Sequence, residues 1–406
     1  MKYRILAKVV NKAMCSFPAI VITGPRQSGK TTLLKGLLAK THTYVNLEDP
    51  DTRMRTKEDP RMFVEQNTRP VIIDEIQYVP DVLPYIKSSI DENRKPGKWI
   101  LTGSQSFTLM QGVSESLAGR AAVLSLLPFS FAERIGRGDK ATDVDDLLKQ
   151  KRPKENKQPK ISIADILLRG NYPEIASRKN VDRSLWCGSY ISTYIERDIR
   201  NLSQVGDLGQ FERFLRLCAT RTGQILNISE LARDIGISVP TAKRWISLLE
   251  TGYQIFLLYP YYKNIGKRLV KSPKIYFTDT ALASYLLGLN DEKALLSSPH
   301  YGHLFETFIV MDFWKRFLHF GKMPSLYYLK TRDGLEIDLV IEYNQKLYLF
   351  EIKSNATITS QHAVSLLRAK RDLKDLVQSV SIISQSPESS YLSRDVFNYS
   401  WQDILL

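Results

Sequence analysis

The sequence predicts an α/β protein built in sections: a parallel sheet in the first 135 residues, a helical middle, and a second α/β domain from residue 296 onward. Three observations carry this. Ala19-Ile20-Val21-Ile22 is a short apolar run that gives way to a glycine-rich turn and then to a helix-forming stretch over 32–38. Pro70-Val71-Ile72-Ile73 is a second run and ends in two adjacent carboxylates, Asp74 and Glu75. Far downstream, 326–341 and 346–353 alternate apolar and polar residues with the period of a sheet. Apolar β-branched runs bounded by glycine or proline are what strands covered on both faces of a parallel sheet look like.

The turn Gly24-Pro25-Arg26-Gln27-Ser28-Gly29-Lys30-Thr31, continued by Thr32, has the G-x-x-x-x-G-K-[ST] spacing between a strand and a helix. That context is the one a phosphate-binding loop needs. The two glycines let successive backbone N–H groups point inward at phosphate oxygens, and the positive end of the helix dipole aims at the same place. Lys30 is placed for the β- and γ-phosphates of ATP, and the Thr31 hydroxyl for Mg2+. Asp74 stands at the C-terminal end of its strand, where ligands bind in open α/β sheets, and is placed in the magnesium shell. Glu75 is placed to orient and deprotonate the attacking water. A strand at Lys98-Trp99-Ile100-Leu101-Thr102, expected between these two, ends in Gly103-Ser104-Gln105 and offers Ser104, with Thr102 second, to the γ-phosphate. Arg120 follows Gly119 at the entrance of a further strand over 121–126. It reads either as a cation approaching the triphosphate, in cis or in trans, or as a partner in a structural salt bridge.

A length of 406 residues fits two to four domains at about 100–200 residues each. Fifty-seven Lys and Arg against forty-three Asp and Glu leave a net charge of +14, which favours a polyanionic partner such as nucleic acid, DNA above all, or else an anionic membrane surface. Three cysteines, Cys15, Cys187 and Cys218, are too few and too far apart for a disulfide framework or a cysteine zinc site, and they fit a reducing cytoplasm. Lysines at 2, 8 and 12 break the first apolar run, unlike a signal peptide, and no stretch of about 18 apolar residues occurs to span a membrane.

Along the chain, 1–135 is the first α/β section and 136–160, with Lys149-Gln150-Lys151-Arg152-Pro153-Lys154, reads as an exposed charged linker. Residues 161–206 have helical periodicity. Residues 207–295 read as a helix over 210–219, a second over 228–235 capped by Ser229, a turn at Gly236, and a third begun by Ser238 and Pro240. Two strands over 254–259 and 274–277 follow, with a basic aromatic hairpin between them. This is the pattern of a winged helix-turn-helix. Lys243 and Arg244 fall on the outer face of the third helix and could enter a major groove, while Lys263, Lys267, Arg268 and Lys271 could contact phosphates. In 296–406, Glu306 lies on the apolar stripe of a helix, Glu336 and Asp338 share one strand face, and Glu351 and Lys353 share another. Charges inside apolar elements are costly unless met by a counter-charge. A magnesium ion ringed by Glu306, Asp338 and Glu351, with Lys353 near a nucleophilic water, meets that cost.

The loop 24–31 with Asp74-Glu75 resembles the AAA-related, STAND-like P-loop ATPases of bacteria and archaea. Leu101-Thr102-Gly103-Ser104, Gly119-Arg120, Gly170-Asn171-Tyr172-Pro173-Glu174, Glu196-Arg197-Asp198-Ile199 and Phe277-Thr278-Asp279-Thr280 fall in the order that family shows. The C-terminal section is similar to the PD-(D/E)XK restriction-endonuclease fold through Glu306, Asp338 and Glu351-Ile352-Lys353. The resemblance implies an α/β P-loop ATPase domain, a helical region, a winged helix-turn-helix and an α/β restriction-endonuclease-like domain. Asn171 stands where the family has a second glycine, and Ser365 where exonuclease-type relatives have a tyrosine. Two functions follow as expectations. One is an ATPase coupled to DNA binding and magnesium-dependent cleavage. The other is a nucleotide-controlled switch or scaffold, alone, self-associated or with a regulatory protein, whose nuclease-like fold binds without cutting.

Overall fold

The computed structural model describes residues 2–103, 112–113, 115–149, 161–194, 207–261, 272–331 and 333–406. Two compact units result. The first holds 1–129 with the short segments 251–253 and 318–322, and the second holds 130–250, 254–317 and 323–406.

The first unit opens with helix α1 (Leu6–Met14) and strand β1 (Ala19–Thr23), followed by helix α2 (Lys30–Leu38) and strand β2 (Thr43–Asn46). Helices α3 (Pro50–Glu58) and α4 (Pro60–Gln66) are each begun by an aspartate cap and a proline, Asp49-Pro50 and Asp59-Pro60. Strand β3 (Val71–Asp74), helix α5 (Leu83–Glu92), strand β4 (Trp99–Thr102) and strand β5 (Ala121–Ser125) complete it. The sheet is parallel, in the order β2-β3-β4-β1-β5, so β4 does lie between the strands that carry the loop and the acid pair. Alternation along β1 covers both faces. Ile20 and Ile22 pack with Leu6, Val10, Leu33 and Leu34, while Ala19 and Val21 pack with Ile73, Ile86, Ile90 and Trp99. All five residues of β1 are buried, as two-sided covering demands.

In the second unit, helices Ile163–Arg169, Pro173–Ser177 and Arg183–Tyr194 precede helix Leu208–Thr220. Helix Ile228–Ile235, capped by Asn227 and not by Ser229, which lies inside it, turns at Gly236 in the left-handed conformation into helix Val239–Thr251. Strands β6 (Gln224–Ile225), β7 (Ile255–Leu258) and β8 (Lys274–Phe277) form an antiparallel sheet in the order β6-β8-β7. The long helix Tyr301–His319 leads to a mixed sheet made of β9 (Leu326–Lys330), β10 (Glu336–Tyr343), β11 (Lys346–Lys353), β12 (Val377–Ser384), β13 (Ser390–Tyr391) and β14 (Val396–Ser400). Its order is β13-β14-β12-β11-β10-β9, with β11, β12 and β14 parallel. Ile337, Val340, Leu347, Leu349, Leu366 and Ile382 lie in its core.

One reading needs correction. The span 136–160 is expected to be linker, yet its described part contains helix Val144–Lys149 with Val144 fully buried. Val144, Leu147 and Leu148 supply an apolar face too short for periodicity to reveal. Residues 150–160 lie outside the described residues, as does the motif at 196–199.

Two sequence motifs interlock here. The buried Asp279 carboxylate caps its helix by accepting from the Ala281 N–H at 3.0 Å, and it also accepts from the Asn171 N–H at 2.7 Å. Gly170 lies against it with φ +60° and ψ −156°, and a Cβ there would stand 1.9 Å from Asp279 Oδ1. That backbone region is open only to glycine. Gly170→Ala is therefore expected to destabilise the second unit by about 2 kcal/mol or more. Gly288→Ala, at φ +73° with open space around it, should cost only about 1 kcal/mol or so. Thermal melting of the two variants side by side checks the difference.

Candidate functional site

β1 delivers the chain to Gly24, whose φ is +143° and where a Cβ would stand 2.1 Å from the Leu126 carbonyl oxygen. Only glycine passes there. Gly29 begins α2 from the left-handed conformation, φ +95°. From the first position of α2, Lys30 folds back, its Nζ donating to the Gly24 and Pro25 carbonyls at 2.9 and 3.0 Å. Lys30 as a whole is 6% exposed, and its ammonium closes on the loop's own backbone. The Ser28 hydroxyl is fully buried without a partner. Such an orphan costs about 1–3 kcal/mol until something bonds to it.

β3 ends beside this loop. The Asp74 carboxylate, 3% exposed, accepts from the Thr31 hydroxyl at 2.7 Å, from the Tyr44 hydroxyl at 2.6 Å, and from the Thr102 hydroxyl. Burial, then the bond to Asp74, pushes the Tyr44 phenol well above its ordinary value, so it stays a donor. Glu75 is left-handed, φ +59° and ψ +46°, a conformation that costs a non-glycine residue of order 1 kcal/mol and marks a constrained position. Its N–H donates to Thr102 Oγ1 at 3.3 Å, and its carboxylate accepts from the Gln77 side-chain amide. A hydroxyl and a carboxylate beside a lysine and a helix N-terminus suit a hard divalent cation carried by phosphates. The residues present fit Mg2+ and a nucleoside triphosphate.

Thr102 is thus part of the site, engaged with Asp74 and the Glu75 backbone, while Ser104 lies outside the described residues. Tyr44 and Gln77 were not expected from the sequence. Tyr44 sits in the half-exposed strand Thr-Tyr-Val-Asn, which has no motif to mark it.

Arg120 is placed elsewhere than beside its own chain's triphosphate. β5 runs parallel to β1 with Ala19 opposite Ala121, and the Ala19 N–H donates to the Arg120 carbonyl at 3.3 Å. Arg120 therefore stands at the N-terminal edge of the sheet, about 13 Å of strand away from the phosphate loop. Its guanidinium pairs with Asp91 at 2.6 and 2.9 Å. Strand direction, not proximity in sequence, decides this.

On helix Val239–Thr251, Lys243 and Arg244 are exposed and Ala242, Trp245, Ile246 and Leu249 are buried. Lys263, Lys267, Arg268 and Lys271 lie outside the described residues.

The C-terminal acids do come together, but around an ammonium. Lys274 on β8, 3% exposed, lies 3.2 Å from Glu306, 3.0 Å from Glu336 and 3.4 Å from Asp338. The Tyr276 hydroxyl donates to Glu306 at 2.6 Å, and Asp338 Oδ2 accepts from the Ile352 N–H at 2.9 Å. Lys353 donates to Glu351 Oε1 at 2.7 Å. Burial, then the neighbouring Asp338, pushes Glu306 up to about 7, and burial likewise raises Glu351. Among the described residues no group of three His, Cys, Asp or Glu is arranged to hold a metal ion. The expected ring of Glu306, Asp338 and Glu351 does not fit Mg2+ in this arrangement, because Lys274 sits against Glu306 and Asp338 and Lys353 against Glu351. Also among the described residues, no helix is long and apolar enough to cross a membrane.

Residues 16–135 match a family model described as an AAA domain. Residues 160–293 and 301–400 match two domains of unknown function (DUF8612 and DUF4143). Proteins of Mycobacterium bovis and Mycobacterium tuberculosis, both described as uncharacterised, are each 33% identical to this chain over 352 residues, which is 86% of it and 73% of each of them. Among solved structures, a Walker-type ATPase of Pyrococcus abyssi is similar over 70% of this chain and 94% of its own, at 15% identity and a TM-score of 0.44. AMPPCP-bound DnaA from Aquifex aeolicus is similar over 60% of this chain and 86% of its own, at 14% identity and a TM-score of 0.30.

The Tyr44 hydroxyl occupies an Asp74 oxygen that a metal ion would need. Tyr44→Phe is expected to lower several-fold the Mg2+ concentration needed for half-maximal nucleotide binding, at a stability cost of about 1 kcal/mol. A Mg2+ titration at fixed nucleotide checks this, and an unchanged midpoint would remove Tyr44 from the site.

Proposed function

Because the chain belongs to the family of these two mycobacterial proteins and bears an AAA domain over residues 16–135, we propose that it is a magnesium-dependent ATP hydrolase that couples nucleotide to contact with DNA. The observation that carries the reading is the convergence of Lys30, Thr31, Asp74 and Glu75 at the C-terminal ends of β1 and β3. The backbone of residues 24–32 would cradle the phosphates, with Lys30 leaving its loop carbonyls for them. Thr31 and Asp74 would hold Mg2+, which when bound offsets the negative charge of the phosphate oxygens. Glu75 takes the proton of the attacking water. Gln77 holds the Glu75 carboxylate and Thr102 its backbone, so the base stands in one orientation.

The exposed Lys243 and Arg244 support a major-groove role for helix Val239–Thr251, in a winged helix-turn-helix reading in which Lys263, Lys267, Arg268 and Lys271, outside the described residues, would meet phosphates. The net charge of +14 favours such a partner. For the restriction-endonuclease-like C-terminal domain, the second reading is preferred, in which it binds without cutting. The lysine pairing of its acids favours that reading.

Two measurements test these proposals. Lys30→Ala should abolish saturable ATP binding, while Glu75→Gln should keep binding and lower turnover by about 10²- to 10⁴-fold. Retained turnover in the Glu75 variant would reassign the base. On DNA, the double substitution Lys243→Ala with Arg244→Ala should weaken binding and flatten the slope of log affinity against log salt by about 1–2. An unchanged slope would remove this helix from the interface.

A further inference from the structure

We propose that Lys274 is the resident cation of the C-terminal acid cluster and that its ammonium keeps divalent metal out. The argument starts from valence. An ammonium has three N–H donors and no acceptor. Lys274 has three carboxylates within 3.4 Å, from Glu306, Glu336 and Asp338, and is itself buried at 3% exposure. These acids come from the helix Tyr301–His319 and from β10, whereas the lysine comes from β8 of a different sheet.

Further oxygens of the cluster are also bonded, although Oε2 of Glu351 is buried without a partner among the described residues. The Tyr276 hydroxyl, two residues along the same face of β8, donates to the Glu306 oxygen that the lysine also meets. The second Asp338 oxygen accepts from the Ile352 N–H, Glu336 also meets Lys330 at 3.0 Å, and Glu351 meets Lys353. The Tyr328 ring lies 5.7 Å from the ammonium, and its hydroxyl donates to the Ser272 carbonyl at 2.7 Å, fixing the start of β8. A divalent ion entering here would face the Lys274 ammonium at contact distance, with the two charges repelling each other. It would have to expel a buried side chain from a strand. Taking the lysine away leaves buried carboxylates without their counter-charge, and an added metal ion is then the species that restores balance.

The test uses the full chain free of nucleotide, titrated with Mn2+ while free Mn2+ is read by electron paramagnetic resonance. The wild-type chain and Asp338→Asn are expected to take up Mn2+ alike. Lys274→Met is expected to gain one Mn2+ per chain at least tenfold tighter than any site in the wild type, and adding Asp338→Asn should remove it. Uptake by the wild-type chain that Asp338→Asn abolishes would overturn the proposal, as would a folded Lys274→Met that gains none. Should Lys274→Met fail to fold, the wild-type and Asp338→Asn pair decides alone: equal uptake upholds it and loss overturns it. Because no nucleotide is present, failure here leaves the ATPase reading untouched.

Discussion

The carboxylate of Asp74 is the point on which the N-terminal unit depends. It is taken out of water at the end of β3, and three hydroxyls converge on it from α2, β2 and β4. A buried carboxylate without such donors would cost several kcal/mol. Its demand for partners ties the phosphate loop to three strands of the sheet. The in-register parallel pairing of β3 with β2 and β4 brings Tyr44 and Thr102 to the same edge. The glycines then let the loop pass, with Gly24 beneath the Leu126 carbonyl and Gly29 at the helix start.

The same electrostatic demand is met differently in the C-terminal domain, and the difference separates two kinds of site. Around Asp74 the donors are neutral hydroxyls, so the negative charge is solvated locally but not cancelled. A cation brought in by phosphates can still be attracted to it. Around Glu306, Glu336 and Asp338 the donor is an ammonium, so the chain itself supplies a counter-charge, one lysine among three carboxylates. One carboxylate is poised for an external cation and the other group is closed against it. Both groups draw acids from strands, the second adding Glu306 from a helix, and sequence position alone does not tell them apart.

Much of the sheet was legible because strands covered on both faces must be apolar throughout. Ala19-Ile20-Val21-Ile22 and Val71-Ile72-Ile73 announce themselves, and the loop between strand and helix carries its own spacing. Partners distant in sequence were harder to read. Tyr44 lies 30 residues before Asp74 in a half-exposed strand, and nothing local marks its hydroxyl. Lys274 gave a signal of the same kind as Lys353, a lysine inside the apolar strand Lys-Ile-Tyr-Phe, but its three acids lie from 32 to 64 residues away and the pairing is a product of topology. Arg120 was adjacent to a strand entrance, and only the parallel direction of β5 shows that this is the far edge from the loop. The helix Val144–Lys149 was hidden by its shortness and by the charges around it.

The central claim is that the loop after β1 holds the phosphates of ATP while Thr31 and Asp74 hold the accompanying metal. Isothermal titration of the full chain with ATP in the presence of Mg2+ tests it most directly. The account predicts saturable binding with one equivalent of nucleotide per chain, weakened when Mg2+ is withdrawn. A folded chain that shows no saturable heat with ATP and Mg2+ would contradict it.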